Sequence, residues 1–134
     1  MDATLGPILV VEDDPASRKL IRAVLGARGY RVEEAEDLTR ARALLEAATP
    51  ALVLLDIRLG GSNGLELARH IRSTPRLAHL PIIAITAQAL KDDESRILGA
   101  GCDAYLAKPI DTRRLPQLVA DHVQQQAGGP GHER

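Results

Sequence analysis

The sequence predicts an α/β domain: a doubly wound, five-stranded parallel sheet with helices on both faces. Three observations carry this reading. Short runs of branched and aliphatic residues alternate in regular order with amphipathic stretches of helical period, the pattern of repeated βα units. The runs are apolar throughout, as strands buried on both faces are. Several of them stop at a charged or hydroxyl residue followed by turn chemistry, as in Leu52-Val53-Leu54-Leu55-Asp56 and Ile82-Ile83-Ala84-Ile85-Thr86, and ligands bind such sheets at the carboxyl ends of their strands.

Taken in order, Ile8-Leu9-Val10-Val11 is the first strand and ends in Glu12-Asp13-Asp14. Asp14-Pro15-Ala16-Ser17 opens the first helix, Pro15 suiting its first turn. Leu20, Ile21, Val24 and Leu25 form its apolar face, and Gly29 ends it. Tyr30 to Glu34 is a short second strand. Asp37 caps a second helix bearing Leu38, Ala41, Leu44, Leu45 and Ala48. Ala51 to Leu55 is the third strand, leading to Asp56 and the glycine-rich loop Leu59-Gly60-Gly61-Ser62-Asn63-Gly64. Leu65, Ala68 and Ile71 mark a third helix that stops before Pro75. Leu80 to Ile85 is the fourth strand, Leu90 to Leu98 the fourth helix with Gly99 and Gly101 closing it, and Ala104 to Ala107 the fifth strand. Asp111-Thr112 starts the last helix, with Leu115, Leu118, Val119 and Val123 inward. A flavodoxin-like strand order, 2-1-3-4-5, sets the first, third, fourth and fifth strands side by side, with the switch point between the first and third. The domain is expected over residues 1–126. Residues 127–134, Ala-Gly-Gly-Pro-Gly-His-Glu-Arg, read as a flexible tail.

Composition narrows the function. At 134 residues the chain suits one domain with a real core. A net charge of −1 gives no basic surface for nucleic acid or membrane, and no apolar stretch approaches the ~20 residues of a membrane span. The N-terminus lacks the basic and apolar regions of a signal peptide, so a cytoplasmic protein is expected. Cys102 stands alone and reads as a small buried hydrophobe. With no Trp, no Phe and only Tyr30 and Tyr105, the core must be aliphatic, and no platform for stacking bases exists.

The strand ends carry the chemistry. Alone, Asp56 is equally well a turn-starting residue. On a shared sheet edge it joins Glu12, Asp13, Thr86 and Lys108. Carboxylates this close repel unless a cation lies among them. Asp13 and Asp56, with Glu12 acting through water, suit Mg²⁺, which takes one or two carboxylates and keeps several waters. Lys108 adds a second positive charge, Thr86 a hydroxyl, and Ala87 leaves space. Such a site accepts three phosphoryl oxygens, with an exposed carboxylate as nucleophile. It predicts in-line transfer of a phosphoryl group to Asp56, Lys108 neutralising the charge that develops.

The motifs Val10-Val11-Glu12-Asp13-Asp14, Leu55-Asp56-Ile57-Arg58-Leu59 with Gly64 following, Ile85-Thr86-Ala87 and Tyr105-Leu106-Ala107-Lys108-Pro109 resemble, in order and spacing, those of the receiver domains of two-component response regulators. The match spans about residues 7–126. The resemblance implies Asp56 as phosphoacceptor and Glu12 and Asp13 as the acidic metal pair, with the backbone carbonyl of Arg58 as a further ligand. It implies Thr86, Ala87 and Lys108 as the phosphoryl-binding set, Thr86 and Tyr105 as a switch pair, and a cis peptide before Pro109. Mn²⁺ would substitute for Mg²⁺. The chain departs from the family pattern at Leu59-Gly60, where Met-Pro is usual, and at Asn63, where Asp is common. Gly60 lacks proline's fixed φ, so the loop is expected to be looser. Residues 86–105 resemble stand-alone receivers of the DivK kind and the receivers of hybrid histidine kinases.

The function implied is that of a single-domain response regulator. It would be phosphorylated by a histidine kinase or histidine phosphotransferase and would signal by protein–protein interaction. The downstream partner, of unknown identity, would bind the face of the fourth helix, fifth strand and fifth helix (α4-β5-α5 by count of these units). That face carries Lys91, Asp92, Asp93, Glu94 and Arg96, which a plain solvated helix would also explain. Tyr105 likewise reads as a half-buried strand residue or as the switch. Homodimerisation on phosphorylation stays open. A receiver belonging to a hybrid kinase or larger regulator is the alternative. An aspartyl-nucleophile phosphatase fits less well, because such hydrolases place an acid two residues after the nucleophile, where this chain has Arg58. Chemistry beyond its own phosphorylation and dephosphorylation is not expected, and the histidines His70, His79, His122 and His132 have no ligand spacing.

Overall fold

The computed structural model describes residues 6–59, 61–87 and 91–132, with the backbone alone for 91–93 and 124–132. Strands β1 (Ile8–Val11), β2 (Val32–Ala35), β3 (Leu52–Asp56), β6 (Ile82–Thr86) and β7 (Ala104–Ala107) alternate with helices α1 (Pro15–Gly26), α2 (Leu38–Ala47), α3 (Leu65–Ser73), α4 (Lys91–Gly99) and α5 (Arg114–His132). Between β3 and α3 lies a two-stranded antiparallel hairpin, β4 (Arg58–Leu59) and β5 (Ser62–Asn63). The main sheet runs β2-β1-β3-β6-β7, all neighbours parallel. Counting its strands in chain order gives the expected 2-1-3-4-5.

Alternation along each strand divides the interior in two. Leu9, Val11, Val53, Leu55, Ile82 and Ala84 face α2, α3 and α4, meeting Ala41, Leu45, Ala68, Ile71 and Ile97. Ile8, Val10, Leu52, Leu54, Ile83 and Ile85 face the other way, meeting Ile21 and Leu25 of α1 and Leu115, Val119 and Val123 of α5. Both halves are aliphatic, with Tyr105 at the margin of one and Tyr30 at the margin of the other.

Local chemistry explains the element ends. Asp14 accepts from the Ser17 N–H and hydroxyl, capping α1 ahead of Pro15, and Asp37 accepts from the Arg40 N–H to cap α2. Asn63 accepts from the Leu65 N–H at the start of α3. Asp111 accepts from the Arg113 and Arg114 N–H groups ahead of α5.

Several boundaries differ from expectation. Helix α1 stops at Gly26, and Gly29, at φ +91°, shapes the turn into β2 instead of ending the helix. Leu20 is 39% exposed, because the buried stripe of α1 runs through Ile21 and Leu25 and leaves Leu20 beside it. Strand β6 lies later than expected, taking in Thr86 and leaving out Leu80 and Pro81, and β2 begins at Val32 rather than Tyr30. Leu90, expected to open the fourth helix, lies outside the described residues. Helix α5 passes through residues 127–132, which the glycine and proline content reads as a tail.

Candidate functional site

The carboxyl ends of β1, β3, β6 and β7 meet along one sheet edge, and the ladder register dictates which side chains gather there. Val11 lies opposite Leu55, so Glu12 and Asp56 are adjacent strand-end positions. Asp56 lies opposite Ile85, with Thr86 one residue on, and Thr86 lies opposite Ala107, with Lys108 one residue on. The Lys108 N–H donates to the Thr86 carbonyl at 2.8 Å, which carries the ladder past the end of β7.

Glu12, Asp13 and Asp56 each offer a carboxylate oxygen, and these oxygens lie within 4.8 Å of one another. Glu12 is buried, and so is Asp56, where an exposed nucleophile was expected, because Asp56 closes a strand covered on both faces; Asp13 is exposed. The Lys108 ammonium lies 2.9 Å from Asp56 Oδ2, donating to it, and 3.1 Å from Glu12 Oε1. The second contact has ion-pair distance without hydrogen-bond alignment, so Glu12 Oε1 is a buried oxygen with no hydrogen-bond donor among the described residues. Asp56 Oδ1 accepts from the Arg58 N–H at 2.8 Å, and Glu12 Oε2 accepts from the Asp14 N–H at 3.1 Å.

This crowding moves protons. Burial, followed by the neighbouring Asp56 carboxylate, pushes the Glu12 carboxyl up to about 7, against smaller opposing contributions from the Asp14 N–H and Lys108. Burial alone would lower the Lys108 ammonium, but its hydrogen bond to Asp56 and its ion pair with Glu12 outweigh burial and the net shift is upward. The donor set is all oxygen, one of its oxygens lacks a donor, and the local charge is negative. Those properties fit a hard, oxygen-ligated cation of the Mg²⁺ kind.

The remaining predicted residues fall around this cluster. Thr86 is buried at the end of β6, and Ala87 is exposed just beyond it. Arg58 opens the small hairpin, its side chain in solvent and its N–H on Asp56. Tyr105 lies opposite Ala84 on β7, half-buried against the α2–α3–α4 side of the core. It is three residues before Lys108 and is not among the groups gathered at Asp56. The Lys108–Pro109 peptide is cis.

Sequence reading quoted Gly64 without a packing role and gave Arg18 none. Gly64 is required by packing: its N–H donates to the Ile57 carbonyl at 2.9 Å, and a Cβ there would overlap the Asp56 carbonyl oxygen and stand 3.0 Å from Ile57 Cα. A glycine at the end of a glycine-rich loop could have signalled this. Arg18 is less legible. It reaches back from α1 to the Glu12 carbonyl at 2.8 Å and to Glu34 Oε1 at 3.1 Å, and nothing in its sequence position distinguishes it from a solvated helix arginine.

Comparison with known proteins agrees with this geometry. The sequence profile of the response regulator receiver domain matches residues 8–120. The polar-differentiation response regulator DivK of Brucella anthropi is 35% identical over 116 residues, covering 87% of this chain and 94% of that protein. Among solved structures, the receiver domain of the sensor histidine kinase PA1611 from Pseudomonas aeruginosa, with a magnesium ion coordinated in its active-site cleft, superposes with a TM-score of 0.81 at 35% identity, covering 90% of this chain and 99% of that one. A CheY-like receiver domain protein from Methanospirillum hungatei superposes with a TM-score of 0.83 at 30% identity, covering 92% and 98%.

Proposed function

This chain belongs to the response regulator receiver domains of two-component systems, and from that premise we propose that it is a single-domain response regulator that takes a phosphoryl group onto Asp56. The observation that carries the reading is the setting of Asp56: a buried carboxylate held at Oδ2 by Lys108 and at Oδ1 by the Arg58 N–H, within a cluster of acids that suits Mg²⁺.

Asp13 and Asp56 would ligate the ion directly, with Glu12 through water and Arg58 through its carbonyl; Mn²⁺ would serve in the same place. When bound, the ion screens the carboxylates from one another and draws charge from the phosphoryl oxygens. The chain's own residues do the rest. An Asp56 oxygen attacks phosphorus in line, forming the P–O bond as the P–N bond to the donor histidine breaks, and the electron pair leaves with the imidazole. Lys108 transfers its ammonium from the carboxylate to a phosphoryl oxygen as charge develops there. The Thr86 hydroxyl donates to a second oxygen, and Ala87 keeps the approach open. Water attacking the aspartyl phosphate reverses the state, and no other turnover is assigned to the domain.

Donors are a histidine kinase or a histidine phosphotransferase in the cytoplasm. Output is a change in affinity for a protein that reads the face of α4, β7 and α5, with Thr86 and Tyr105 shifting between two arrangements as the acceptor gains charge. That face would also carry any dimer formed on phosphorylation. Residues 1–126 are the signalling unit, and residues 127–134, into which α5 continues as far as His132, are appended to it. A second reading, the receiver module of a hybrid sensor kinase, is favoured by the identity to the PA1611 receiver, which equals that to DivK.

Intact mass after incubation with Mg²⁺ and acetyl phosphate tests the core of the proposal. One phosphate adduct is expected on the wild type, its formation prevented when EDTA is present from the start, and none on Asp56→Ala. An adduct of equal yield on Asp56→Ala would overturn it.

A further inference from the structure

We infer that Arg18 is a positioning residue for the acidic pair: it holds the β1–α1 junction so that Glu12 and Asp13 present their carboxylates to one cation. The inference rests on the Mg²⁺ site proposed above and extends it to a side chain outside the acidic cluster.

Both backbone groups of Glu12 are committed. Its N–H continues the sheet ladder, donating to the Ala35 carbonyl at 3.0 Å. Its carbonyl has left the ladder, since β1 ends at Val11, and accepts from Arg18 Nη1 at 2.8 Å. That carbonyl belongs to the peptide plane that also contains the N–H of Asp13, and the plane is stiff. Fixing the oxygen therefore fixes the position of the Asp13 Cα and the direction in which the chain enters it, leaving rotation about φ as the one backbone freedom between that plane and the side chain. Asp13 is exposed and lies in the turn between β1 and α1, so its direction is not set by burial.

Arg18 is itself braced. Its Nε pairs with Glu34 Oε1 at 3.1 Å, and the other oxygen of Glu34 pairs with Arg22 Nε. The hydrogen bond from Arg22, then Arg18, keeps the Glu34 carboxyl below the usual carboxylate range, so this brace stays charged. The Arg18 N–H donates to the Asp14 carbonyl at 3.0 Å, within the first turn of α1. One planar guanidinium thus links α1, the end of β1 and the edge strand β2. A lysine, with a single head group, cannot satisfy the carbonyl and Glu34 in the same fixed geometry. Groups that orient metal ligands in this manner commonly alter affinity by about 10–100-fold when removed.

The experiment is a Mg²⁺ titration by calorimetry of wild type, Arg18→Ala, Arg18→Lys and Arg76→Ala, all at a temperature where thermal melts show each folded. Arg76 is the control, because it also braces backbone, donating to the Leu45 carbonyl and the Thr49 hydroxyl, at the other end of the sheet. The expected result is a Kd weakened by about tenfold in Arg18→Ala, an intermediate loss in Arg18→Lys and no change in Arg76→Ala. An Arg18→Ala affinity within twofold of wild type, or an equal loss in Arg76→Ala, would overturn the inference. Absence of Mg²⁺ binding by the wild type would overturn the metal site itself, a result separable from either.

Discussion

Lys108 Nζ stands between two buried carboxylates, 2.9 Å from Asp56 Oδ2 and 3.1 Å from Glu12 Oε1. The ammonium thereby occupies charge space that a divalent cation would share, and it is already beside the atom proposed to attack phosphorus.

Lys108→Ala should separate the two roles. Without a donor to the transferring oxygens, labelling by acetyl phosphate should slow by about 10²–10³-fold. Mg²⁺ affinity should rise, because a competing positive charge is gone. Metal-free stability should fall by about 2 kcal/mol as two acids lose their partner. Rapid-quench labelling, calorimetry and urea melts measure these, and tighter labelling with weaker Mg²⁺ binding would refute the arrangement.

Stability without metal should fall as pH rises from about 4.5 to 7. The Glu12 carboxyl is raised from 4.5 to about 7, chiefly by burial, so the folded chain binds more protons than the unfolded chain through this window, and the slope is negative. The full effect is about 3 kcal/mol at most. Saturating Mg²⁺ should flatten the slope by favouring the charged form. Urea melts at pH 5 and 7.5 with EDTA or Mg²⁺ check both statements, and Glu12→Gln should lose the pH response.

Gly64→Ala should destabilise by about 2 kcal/mol or more, since the added Cβ meets the backbone of Asp56 and Ile57 and no flexible side chain can give way. The same displacement moves Asp56, the proposed acceptor, so labelling should fall along with stability. Gly61→Ala, with open space at its Cβ, should do neither.

Arg72→Ala should cost about 3 kcal/mol. Its guanidinium donates to the carbonyls of Ala78, Leu80 and Gly101 and pairs with Asp103, which also accepts from the Ile82 N–H. Gly101→Ala should lose stability by a related route, its φ of +109° being unsuited to a side chain and its Cβ falling 2.6 Å from Arg72 Cγ. Thermal melts of the single and double variants should show coupling between them.

Cys102 should ignore thiol reagents in the folded protein. It is buried, and burial pushes its thiol up to about 12. Disulfide-exchange reagent at pH 8 should react only on addition of denaturant. Rapid reaction without denaturant would show that the α4–β7 junction opens.

The sheet was legible in the sequence because it depends on period and strand-end chemistry. Runs such as Leu52–Leu55 are apolar on both sides, and regular βα alternation restricts the order of strands. The acids, Thr86 and Lys108 were legible for the same reason, each lying at the end of such a run. Hidden from sequence were features made by partners far along the chain. Leu20 looks inward by composition but falls beside the Ile21–Leu25 stripe. The β4–β5 hairpin has no apolar alternation to betray it. Arg18 and Arg72 act on backbone carbonyls, which carry no sequence signature at all. Gly29 and Gly101 were both read as helix stops; α1 ends earlier, at Gly26, and what the structure adds is that both glycines take positive φ.

The two aliphatic compartments on either side of the sheet have a bearing on how such a domain can diversify. The buried side chains form two separate clusters with the strands between them, so substitutions on opposite sides should combine almost additively, while neighbours within a side should show epistasis. The α1 and α5 side can therefore drift to suit one set of contacts, and the α2–α3–α4 side another, without each change having to be reconciled across the whole interior. Asp56, at the rim where the two sides meet, inherits constraints from both.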